Sequence, residues 1–364
     1  MKVLFQTRFN LFTRKGGDTV QIVKTKEFIE RKYPDIRIDI NSDPSVDVSG
    51  YDLVHIFNLL RPQETSLFVQ NAKAQNKKTV LSTIYWRSPE FEKQGQFGLR
   101  RMINRLIDYD GMEKIRALYR YYLDGEKHDG TKQLIRRGYT RLQRDILDQV
   151  DLLLPNGEGE IELIRNVLKP GKPIRYLVVP NAIDAGLFWC EPLPDRDLVL
   201  CVGRFEPRKN QLNLIKAFRG LPYKLVLAGT AHRTQQKYFD AMKKAIGNSN
   251  VQIVPEMEHD DLKAWYRRAK VHVLPSWYDT PGLVSLEAAV SGCNIVATTR
   301  GTTREYFRDD AFYCEPGSVE SIQRAVMQAF QSPGNEQLQR RIAAHYTWEK
   351  AAEKTVEGYR QLLG

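Results

Sequence analysis

The stretch YDTPGLVSLE, residues 278–287, carries two carboxylates eight positions apart, Asp279 and Glu287. On an unbroken helix this spacing would place both side chains roughly on one face. Pro281 and Gly282 lie between them, however, and are poor residues for a helix interior. The stretch therefore has two interpretations: a catalytic pair of acids, or two acids that hold different parts of one ligand.

The residues around this stretch predict where each acid lies. HVLPSW is typical of a strand, YDTPG is a loop, and a helix runs from about Leu283 to Val290, where Ser-Gly ends it. Asp279 would then lie on the loop, and Glu287 would lie about one turn inside the helix.

The start of this predicted helix offers backbone donors for an anion. Pro281 has no amide proton, but the amides of Gly282, Leu283 and Val284 have no acceptor within the helix and point out of its start. Such amides suit a phosphate group. The acids on either side of them suit hydroxyl groups.

A second cluster follows a strand that ends at Gly203, in VLCVGRFEPRKNQLNLIKAF. Arg204 and Lys209 flank a short loop, and Asn210 is a suitable N-cap for the next helix. Two cations at the carboxyl end of a strand, beside a helix start, suit a diphosphate. A solvated pair of surface charges is the alternative, and it requires no ligand.

Two further sites are weaker. Gly16 and Gly17, in RFNLFTRKGGDTVQ, open a helix after the first strand and would let a bulky anion approach the backbone. The dinucleotide-binding pattern GxGxxG is absent there, and a plain tight turn is as good an interpretation. KLVLAGT is a strand that ends near Gly229, and it indicates little by itself.

Short apolar runs alternate with helical stretches along the chain, which is typical of parallel sheets built from βαβ units. The predicted strands are KVLFQT, IRIDI, DLVHIF, KTVLST, VDLLLP, YLVVP, DLVLCVG, YKLVLAG, VQIVPE, VHVLPS and NIVATT. Eleven strands are many for one sheet, and the polar, Pro-rich stretch 181–197 divides them. We predict two doubly wound α/β domains, near 1–180 and 190–345, and a last helix within 346–364.

One basic segment interrupts this alternation. Residues from about 91 to 149 form a predicted helical insertion that contains FGLRRMINRLIDY and IRALYRYYL, both amphipathic. The net charge of the chain is +11, and residues 87–144 hold fourteen Lys or Arg against eight Asp or Glu. The insertion is a candidate for contact with an anionic membrane surface or an anionic substrate. Solvated helix faces are the alternative.

Composition excludes several classes of protein. The chain has 364 residues, 42% of them hydrophobic, and no run approaches the roughly 18 apolar residues of a membrane span. The four cysteines, Cys190, Cys201, Cys293 and Cys314, include no close-set pair. Their placement argues against a zinc site and against a disulfide framework, and it favours the cytosol.

The two main clusters resemble a known family. VGRFEPRKNQLNLIKAF and PSWYDTPGLVSLEAAVSGCNIVATTRGTTREYF are closely similar to the retaining glycosyltransferases of the GT-B fold, family 4 type. Supporting matches are the paired glycines at 16–17, YDLVHIF, YLVVPNAIDAGLF and YTWEKAAEKTVEGYRQLL. The resemblance covers nearly the whole chain outside the insertion.

The resemblance implies two Rossmann-like domains, with a nucleoside-diphosphate sugar as donor; a UDP-sugar is favoured, and GDP-mannose is the alternative. The catalytic residues would be Arg204, Lys209 and Asp279. Arg204 and Lys209 would hold the donor diphosphate and stabilise its departure. Glu287 would bind the ribose hydroxyls, and Asp279 with the Gly282-Leu283 backbone would hold the donor sugar. Pro281 and Val284 would also belong to the donor site.

The resemblance also implies the rest of the donor site. Gly16 and Gly17 would approach the diphosphate from the first domain, Gly229 would lie near the donor, and Glu256 and Met257 would cover the base. The last helix would cross back to the first domain. No cofactor and no metal are implied, since the nucleotide sugar is a substrate. The basic insertion, in turn, indicates a glycan or lipid-linked acceptor near the inner face of a membrane, and no nucleic acid is expected.

Two positions depart from the family pattern. The first acid is usually Glu followed by Gly-Phe-Gly, whereas this chain has Asp279 followed by Thr-Pro-Gly. The shorter acid implies a different placement of the donor sugar or a different sugar. Tyr85 stands where the family often has a histidine, while His55 matches a common family position at which a structural role is the usual one.

Other classes fit the sequence less well. A GT-A enzyme would carry a metal-binding Asp-x-Asp after a strand, but Asp108-Tyr109-Asp110 follows a predicted helix and 195–197 lies in the interdomain stretch. A non-hydrolytic sugar epimerase shares the two-domain architecture but gives no reason for the acidic motif. A nucleic-acid-binding protein would explain the charge, yet no stacking motif or recognition helix supports it.

Overall fold

The computed structural model describes residues 1–13, 16–98, 107–122, 128–191, 193–257 and 259–364. The chain divides into two compact units. The first contains Met1–Arg87, Leu106–Ala182 and Trp348–Gly364, and the second contains Ser88–Arg105 and Ile183–Thr347. The sequence prediction placed the insertion, about 91–149, in the first domain, whereas the described residues 88–98 belong to the second unit.

The first unit is built on a five-stranded parallel sheet of order β2-β1-β3-β4-β5. Its strands are β1 (Lys2–Gln6), β2 (Arg37–Asn41), β3 (Leu53–Phe57), β4 (Lys78–Ser82) and β5 (Leu152–Leu153). The helices that precede β6 in the described part of this unit are α1 (Gly17–Lys32), α2 (Pro62–Ala74), α3 (Tyr109–Tyr122), α4 (Asp129–Arg137), α5 (Tyr139–Leu147) and α6 (Glu158–Leu168). The central strand β3, LVHIF, is buried at every position, as expected when both faces of a parallel sheet are covered.

The second unit is built on a six-stranded parallel sheet of order β11-β10-β9-β6-β7-β8. Its strands are β6 (Leu198–Val202), β7 (Lys224–Ala228), β8 (Val251–Val254), β9 (Ala269–Leu274), β10 (Asn294–Thr298) and β11 (Phe312–Cys314). Its helices are α7 (Ala185–Phe188), α8 (Gln211–Ala217), α9 (Gln236–Ile246), α10 (His259–Arg268), α11 (Leu283–Val290), α12 (Thr303–Phe307), α13 (Val319–Gln331) and α14 (Glu336–His345). The chain then returns to the first unit with α15 (Trp348–Leu363).

Alternation along β6 shows how the second sheet is covered. Leu198 and Leu200 belong to one buried apolar cluster, while Val199 and Cys201 belong to another. Because successive side chains of a strand point to opposite faces, the two clusters lie on the two sides of the sheet. The second unit is therefore doubly wound, as predicted.

Ten of the eleven predicted strands are confirmed, and one is wrong. YLVVP makes a single bridge, between Tyr176 and Leu153, although Leu177 also donates a backbone hydrogen bond to Leu153. This segment follows β5 without completing a ladder. The edge strand β11 was not predicted, because three residues are too few for an alternating pattern to be recognised.

The sheet order identifies the edge at which a ligand would bind. In the second sheet the order reverses between β6 and β9, since β7 and β8 continue on one side and β10 and β11 on the other. Ligands of open α/β sheets bind outside the carboxyl ends of the strands at such a point. The loops after β6 and β9 lie side by side there, and these loops carry the two main sequence clusters.

Part of the basic insertion lies outside the described residues. In FGLRRMINRLIDY, residues 99–106 are not described, and IRALYRYYL falls in α3 as far as Tyr122. No helix in the described part of the chain is both long enough and apolar enough to span a membrane.

Candidate active site

The loop after β6 contains a short 3-10 turn, Pro207–Lys209, which leads into α8. Asn210 joins the two with a positive φ of 63°. Asn210 is the N-cap residue of α8, as predicted, but its side chain makes no cap hydrogen bond. Instead, its side-chain amide donates to the carbonyl oxygens of Pro275 and Pro316 at 3.0 and 2.8 Å. This residue therefore ties the loop after β6 to those after β9 and β11.

Lys209 and Asp279 form a buried ion pair. Nζ of Lys209 lies 2.6 Å from Oδ2 of Asp279, and Oγ of Ser276 donates to the same oxygen at 2.9 Å. The two residues are only 9% and 8% exposed. Burial by itself would raise the pKa of Asp279, but the charges of Lys209 and Arg208 outweigh burial and hold that pKa below its usual value. The structure thus brings two of the predicted catalytic residues into contact.

Arg208 and Glu206 extend this charge cluster, and the sequence analysis missed both. Nη2 of Arg208 lies 3.0 Å from Oε1 of Glu206, and Nη1 lies 3.8 Å from Oδ1 of Asp279. Burial opposes the charge of Arg208, but the two carboxylates outweigh burial and raise its pKa above the usual value. The sequence signal for this cluster is the contiguous EPRK, whose side chains the 3-10 turn gathers on one loop.

Arg204 lies farther out than Lys209. Its side chain is 53% exposed, and Nη2 lies 3.8 Å from Oε2 of Glu206. Its backbone carbonyl accepts a hydrogen bond from Nε2 of Gln211 at 2.9 Å, which fixes the loop but leaves the guanidinium at the surface. This guanidinium can therefore bind an anion without first breaking a buried contact.

Backbone contacts fix the loop that carries Asp279. The amide of Asp279 donates to the carbonyl of Arg300 at 3.2 Å, and its carbonyl accepts from the amide of Thr302 at 3.1 Å. Gly301 lies between those two partners with φ +97°, and a Cβ there would lie 1.8 Å from the Asp279 carbonyl oxygen. The loops after β9 and β10 approach so closely that position 301 requires glycine.

The helix predicted from Leu283 to Val290 is present as α11. Gly282 precedes it with φ +88°, and a Cβ at this position would lie 3.0 Å from Cδ2 of Leu274. The first amides of α11 have no acceptor within the helix. As the sequence indicated, Asp279 lies on the loop before the helix and Glu287 lies inside it.

Glu287 differs from Asp279 in its surroundings. Its Oε2 accepts a hydrogen bond from the Tyr266 hydroxyl at 3.1 Å, and no Lys or Arg among the described residues forms an ion pair with it. Burial raises the pKa of Glu287 to about 7, and the hydrogen bond from Tyr266 only partly opposes this effect. Tyr266 was not singled out from the sequence, because its contact with Glu287 joins α10 to α11.

The remaining predicted residues of the second unit lie at the ends of β7 and β8. A Cβ at Gly229 would lie 2.1 Å from the carbonyl oxygen of Gly203, so the loops after β6 and β7 are in contact. Met257 is half-buried. Like Val284, it packs against the apolar cluster that contains Leu198 and Leu200. Glu256 is exposed.

Gly16 and Gly17 belong to the first unit, at the start of α1. The amide of Gly16 donates to Oγ1 of Thr19 at 3.1 Å. Near them, Nε of the buried Arg8 lies 2.7 Å from Oδ2 of Asp18 and braces the loop after β1. The sequence analysis did not single out this pair.

His55 and Tyr85 both serve the core of the first unit. Nδ1 of His55 lies 2.6 Å from the Tyr359 hydroxyl, its Nε2 lies 2.8 Å from Oγ of Ser82, and burial lowers its pKa to about 3. Tyr85 is 1% exposed, and its amide donates to Oε1 of Glu160 at 2.6 Å. Both side chains are therefore held inside the unit.

The Asp-x-Asp sequence at 108–110 stabilises helices. Asp108 accepts a hydrogen bond from the amide of Gly111 at 2.9 Å, and Asp110 accepts one from the amide of Thr140 at 3.2 Å. Within the described ranges, no three His, Cys, Asp or Glu side chains converge as a metal site would require.

The second unit matches a family of known proteins. Residues 191–348 match the family model described as Glycosyl transferases group 1. The chain is 25% identical over 173 residues to the O-antigen chain mannosyltransferase B of Escherichia coli, and the aligned region covers 45% of each protein. It is 28% identical over 253 residues to the lipopolysaccharide core biosynthesis mannosyltransferase LpcC of Rhizobium leguminosarum bv. viciae, covering 64% of this chain and 68% of the relative. The chain thus spans less than half the length of the first of these relatives.

A solved structure shares the fold of the whole chain. The Anabaena protein HepE in complex with UDP-glucose superposes with a TM-score of 0.69 at 14% identity, and the match covers 100% of both chains. At 14% identity, this structural similarity is evidence for the fold and not for the activity. The predicted GT-B fold, with two Rossmann-like parallel-sheet units, is confirmed.

The raised pKa of Glu287 predicts how stability depends on pH. The folded chain holds this proton up to about pH 7, while the unfolded chain releases it near 4.5, so stability is lost as pH rises between these values. Glu287→Gln keeps the hydrogen bond to Tyr266 without the buried charge. We expect this variant to be more stable than the wild type at about pH 8, by up to about 3 kcal/mol, and to differ little at about pH 4. Urea unfolding at both pH values measures the difference, and equal stability at the higher pH would contradict it.

Proposed function

We propose that this chain is a retaining glycosyltransferase, because residues 191–348 match the family model described as Glycosyl transferases group 1. It moves a sugar from a nucleoside-diphosphate sugar to a glycan or a lipid-linked acceptor. The observation that supports this function best is the cluster at the edge of β6 and β9. There, Lys209 and Arg204 lie on one loop, and Asp279 and Glu287 flank the helix start on the other.

Lys209, Arg204 and the start of α11 are the proposed diphosphate site. An ammonium group has three N–H donors, so Lys209 can keep its contact with Asp279 and still donate to a phosphate oxygen. Arg204 is exposed and adds a second cation. Negative charge grows on the diphosphate as the sugar leaves, and fixed cations and amides stabilise that charge most strongly in the transition state.

Asp279 is the proposed contact for the donor sugar. Its Oδ2 is occupied by Lys209 and Ser276, whereas its Oδ1 has longer contacts, 3.3 Å to the amide of Thr280 and 3.8 Å to Arg208. Oδ1 is therefore the oxygen that can accept a hydrogen bond from a sugar hydroxyl. An acid held by a lysine and a serine is a poor nucleophile. The acceptor hydroxyl itself therefore attacks the anomeric carbon of the sugar, on the face from which the diphosphate departs as its bond to that carbon breaks.

Glu287 is the proposed contact for the ribose. A carboxylate can accept hydrogen bonds from both ribose hydroxyls. These bonds would offset the free-energy cost of burying the charged carboxylate, which raises the pKa of Glu287 to about 7. Binding of the nucleotide is therefore coupled to loss of a proton at low pH. The proposed donor site includes no metal and no cofactor.

The names of similar proteins support two alternative candidates for the donor. The relatives compared above are mannosyltransferases, and HepE was solved with UDP-glucose. We propose a UDP-sugar as the donor and GDP-mannose as the alternative, in the synthesis of a cell-surface polysaccharide or glycolipid.

The outer face of α3 supports an acceptor at an anionic membrane surface. Four of its large side chains, Ile115, Leu118, Tyr119 and Tyr122, are 39% to 69% exposed and recur at the spacing of a single helix face. Lys114 and Arg116 flank this stripe on its two sides. Apolar and aromatic residues bordered by cations are typical of helices that lie in the interface of an anionic bilayer.

The opposite face of α3 is anchored to the first unit. Ala117 is buried in a cluster with Leu134, Tyr139 and Leu142 from α4 and α5. The exposed stripe is therefore presented by a packed helix. We propose that the exposed stripe of α3 holds the chain at the inner side of a membrane, close to its acceptor.

The diphosphate role of Lys209 predicts a separation between stability and activity. Lys209→Met leaves Asp279 buried without its closest cation and should lower the free energy of unfolding by about 3 kcal/mol or more. The double variant Lys209→Met/Asp279→Asn removes both charges and should recover most of that stability while transfer stays lost. Lys216→Met, on the exposed side of α8, is the matched control. Transfer by the double variant at the wild-type rate would overturn the assignment.

A thermal-shift panel tests the class of ligand. We expect the melting temperature to rise with the concentration of one of UDP-glucose, UDP-galactose or GDP-mannose, and not with glucose 1-phosphate, because ligands that bind the folded state stabilise it. A shift with single-stranded RNA alone would favour the nucleic-acid class. Conversion of the nucleotide sugar to its epimer without an acceptor would favour the epimerase class.

The membrane assignment predicts selective binding to anionic vesicles. The wild type should sediment with vesicles that contain phosphatidylglycerol and not with phosphatidylcholine alone, and salt should weaken the binding. Leu118→Glu should abolish it, whereas Met327→Glu, an exposed apolar position in the second unit, should not. Equal sedimentation of the two variants would contradict a role for α3.

A further inference from the structure

A segment of the insertion packs against the loop that carries Asp279. Residues 88–98 belong to the second unit, although Arg87 just before them belongs to the first. The segment contains one π-helical turn, Phe91–Gly95. Such turns are uncommon and occur often at functional sites. Three of its residues contact the neighbours of Asp279 in different ways.

Phe91 contacts the residue just before Asp279. Its ring meets the ring of Tyr278 edge-on, with centroids 5.9 Å apart and an interplanar angle of 72°. The guanidinium of Arg208 lies 5.3 Å from the same ring and donates to the Tyr278 carbonyl at 3.3 Å. Tyr278 is thus held by Phe91 and by Arg208, which also faces Oδ1 of Asp279.

Gly95 contacts the residue two positions before Asp279. A Cβ at Gly95 would lie 2.5 Å from Cδ2 of Phe91 and 2.7 Å from Cε2 and Nε1 of the Trp277 indole. Trp277 is 5% exposed, and its amide donates to the Arg208 carbonyl at 2.8 Å. Because both distances are shorter than van der Waals contact and the indole is buried, a methyl group at position 95 would displace the Phe91 ring or the indole, and with it the contacts to the Asp279 loop.

Glu90 contacts the loop after β10. Its carboxylate forms an ion pair with Arg300, which also binds Glu315 at 2.9 Å. The carbonyl of Arg300 is the acceptor for the Asp279 amide. The segment therefore contacts the side chains of Trp277 and Tyr278, and it also contacts Arg300, whose carbonyl binds the Asp279 amide.

We propose that residues 88–98 position Asp279 for the donor sugar, with Glu90, Phe91 and Gly95 as positioning residues. The inference rests on the proposed function. The diphosphate site also has anchors away from the Asp279 loop: Asn210 donates to the carbonyl of Pro316 after β11, and Gln211 donates to the carbonyl of Arg204. Disturbing the segment should therefore weaken contacts to the sugar more than contacts to the diphosphate.

Calorimetric titration with UDP and UDP-glucose, and with GDP and GDP-mannose, separates these two effects. We expect Phe91→Ala and Gly95→Ala to weaken binding of the preferred nucleotide sugar about tenfold, which is about 1.4 kcal/mol, and binding of its nucleoside diphosphate by less than about twofold. Phe91→Tyr keeps the ring contact and should bind as the wild type does. Lys93→Ala, an exposed position on the same segment, is the matched control.

Two results would overturn the inference. Equal weakening of nucleotide and nucleotide sugar would mean that the segment only supports the fold, and unchanged affinity for both would mean that it does not hold Asp279. Glu90→Gln, at a half-exposed ion pair, extends the test if the other variants do not fold, and the same selective loss is expected. A wild-type chain that binds none of the four ligands would overturn the proposed function, and this inference with it.

Discussion

The buried ion pair between Lys209 and Asp279 is the contact on which the rest of the site depends. Removing two charges from water costs several kcal/mol per ion, and their attraction offsets this cost only when the geometry is fixed and the remaining groups are hydrogen-bonded. The second unit meets both conditions. Ser276 and Arg208 add contacts to Asp279, and Asn210 ties the loops together. The order of the sheet, which places β6 beside β9, brings the two charges within reach of each other.

The two acids of YDTPGLVSLE have opposite electrostatic environments. Cations hold the pKa of Asp279 below its usual value, whereas burial raises the pKa of Glu287 to about 7. A hydrolytic pair would need one proton donor and one nucleophile facing the same bond. Here the first acid is bound to a lysine and the second to a tyrosine, on opposite sides of a glycine that begins a helix. The second interpretation of the stretch, two acids for two parts of one ligand, is the one that we propose.

Local patterns predicted much of the fold and the position of both acids, because strand alternation and helix-ending glycines act over a few residues. They could not predict the contacts of Lys209 with Asp279 or of Glu287 with Tyr266, which depend on the order of strands in the sheet. The side-chain role of Asn210 was missed for the same reason, since its acceptors lie on two other loops. Assignment of the 88–98 segment to the second unit had no local signal, because the described residues up to Arg87 and again from Ile107 belong to the first.

The most direct measurement of the donor site is a crystal structure of the chain with UDP-glucose or GDP-mannose, whichever binds. We predict the diphosphate within hydrogen-bond distance of Nζ of Lys209 and of the first amides of α11, with the ribose hydroxyls on Glu287. The sugar should contact Oδ1 of Asp279. A nucleotide bound elsewhere on the chain, with Lys209 bound to Asp279 alone and Glu287 to Tyr266 alone, would contradict the proposed site.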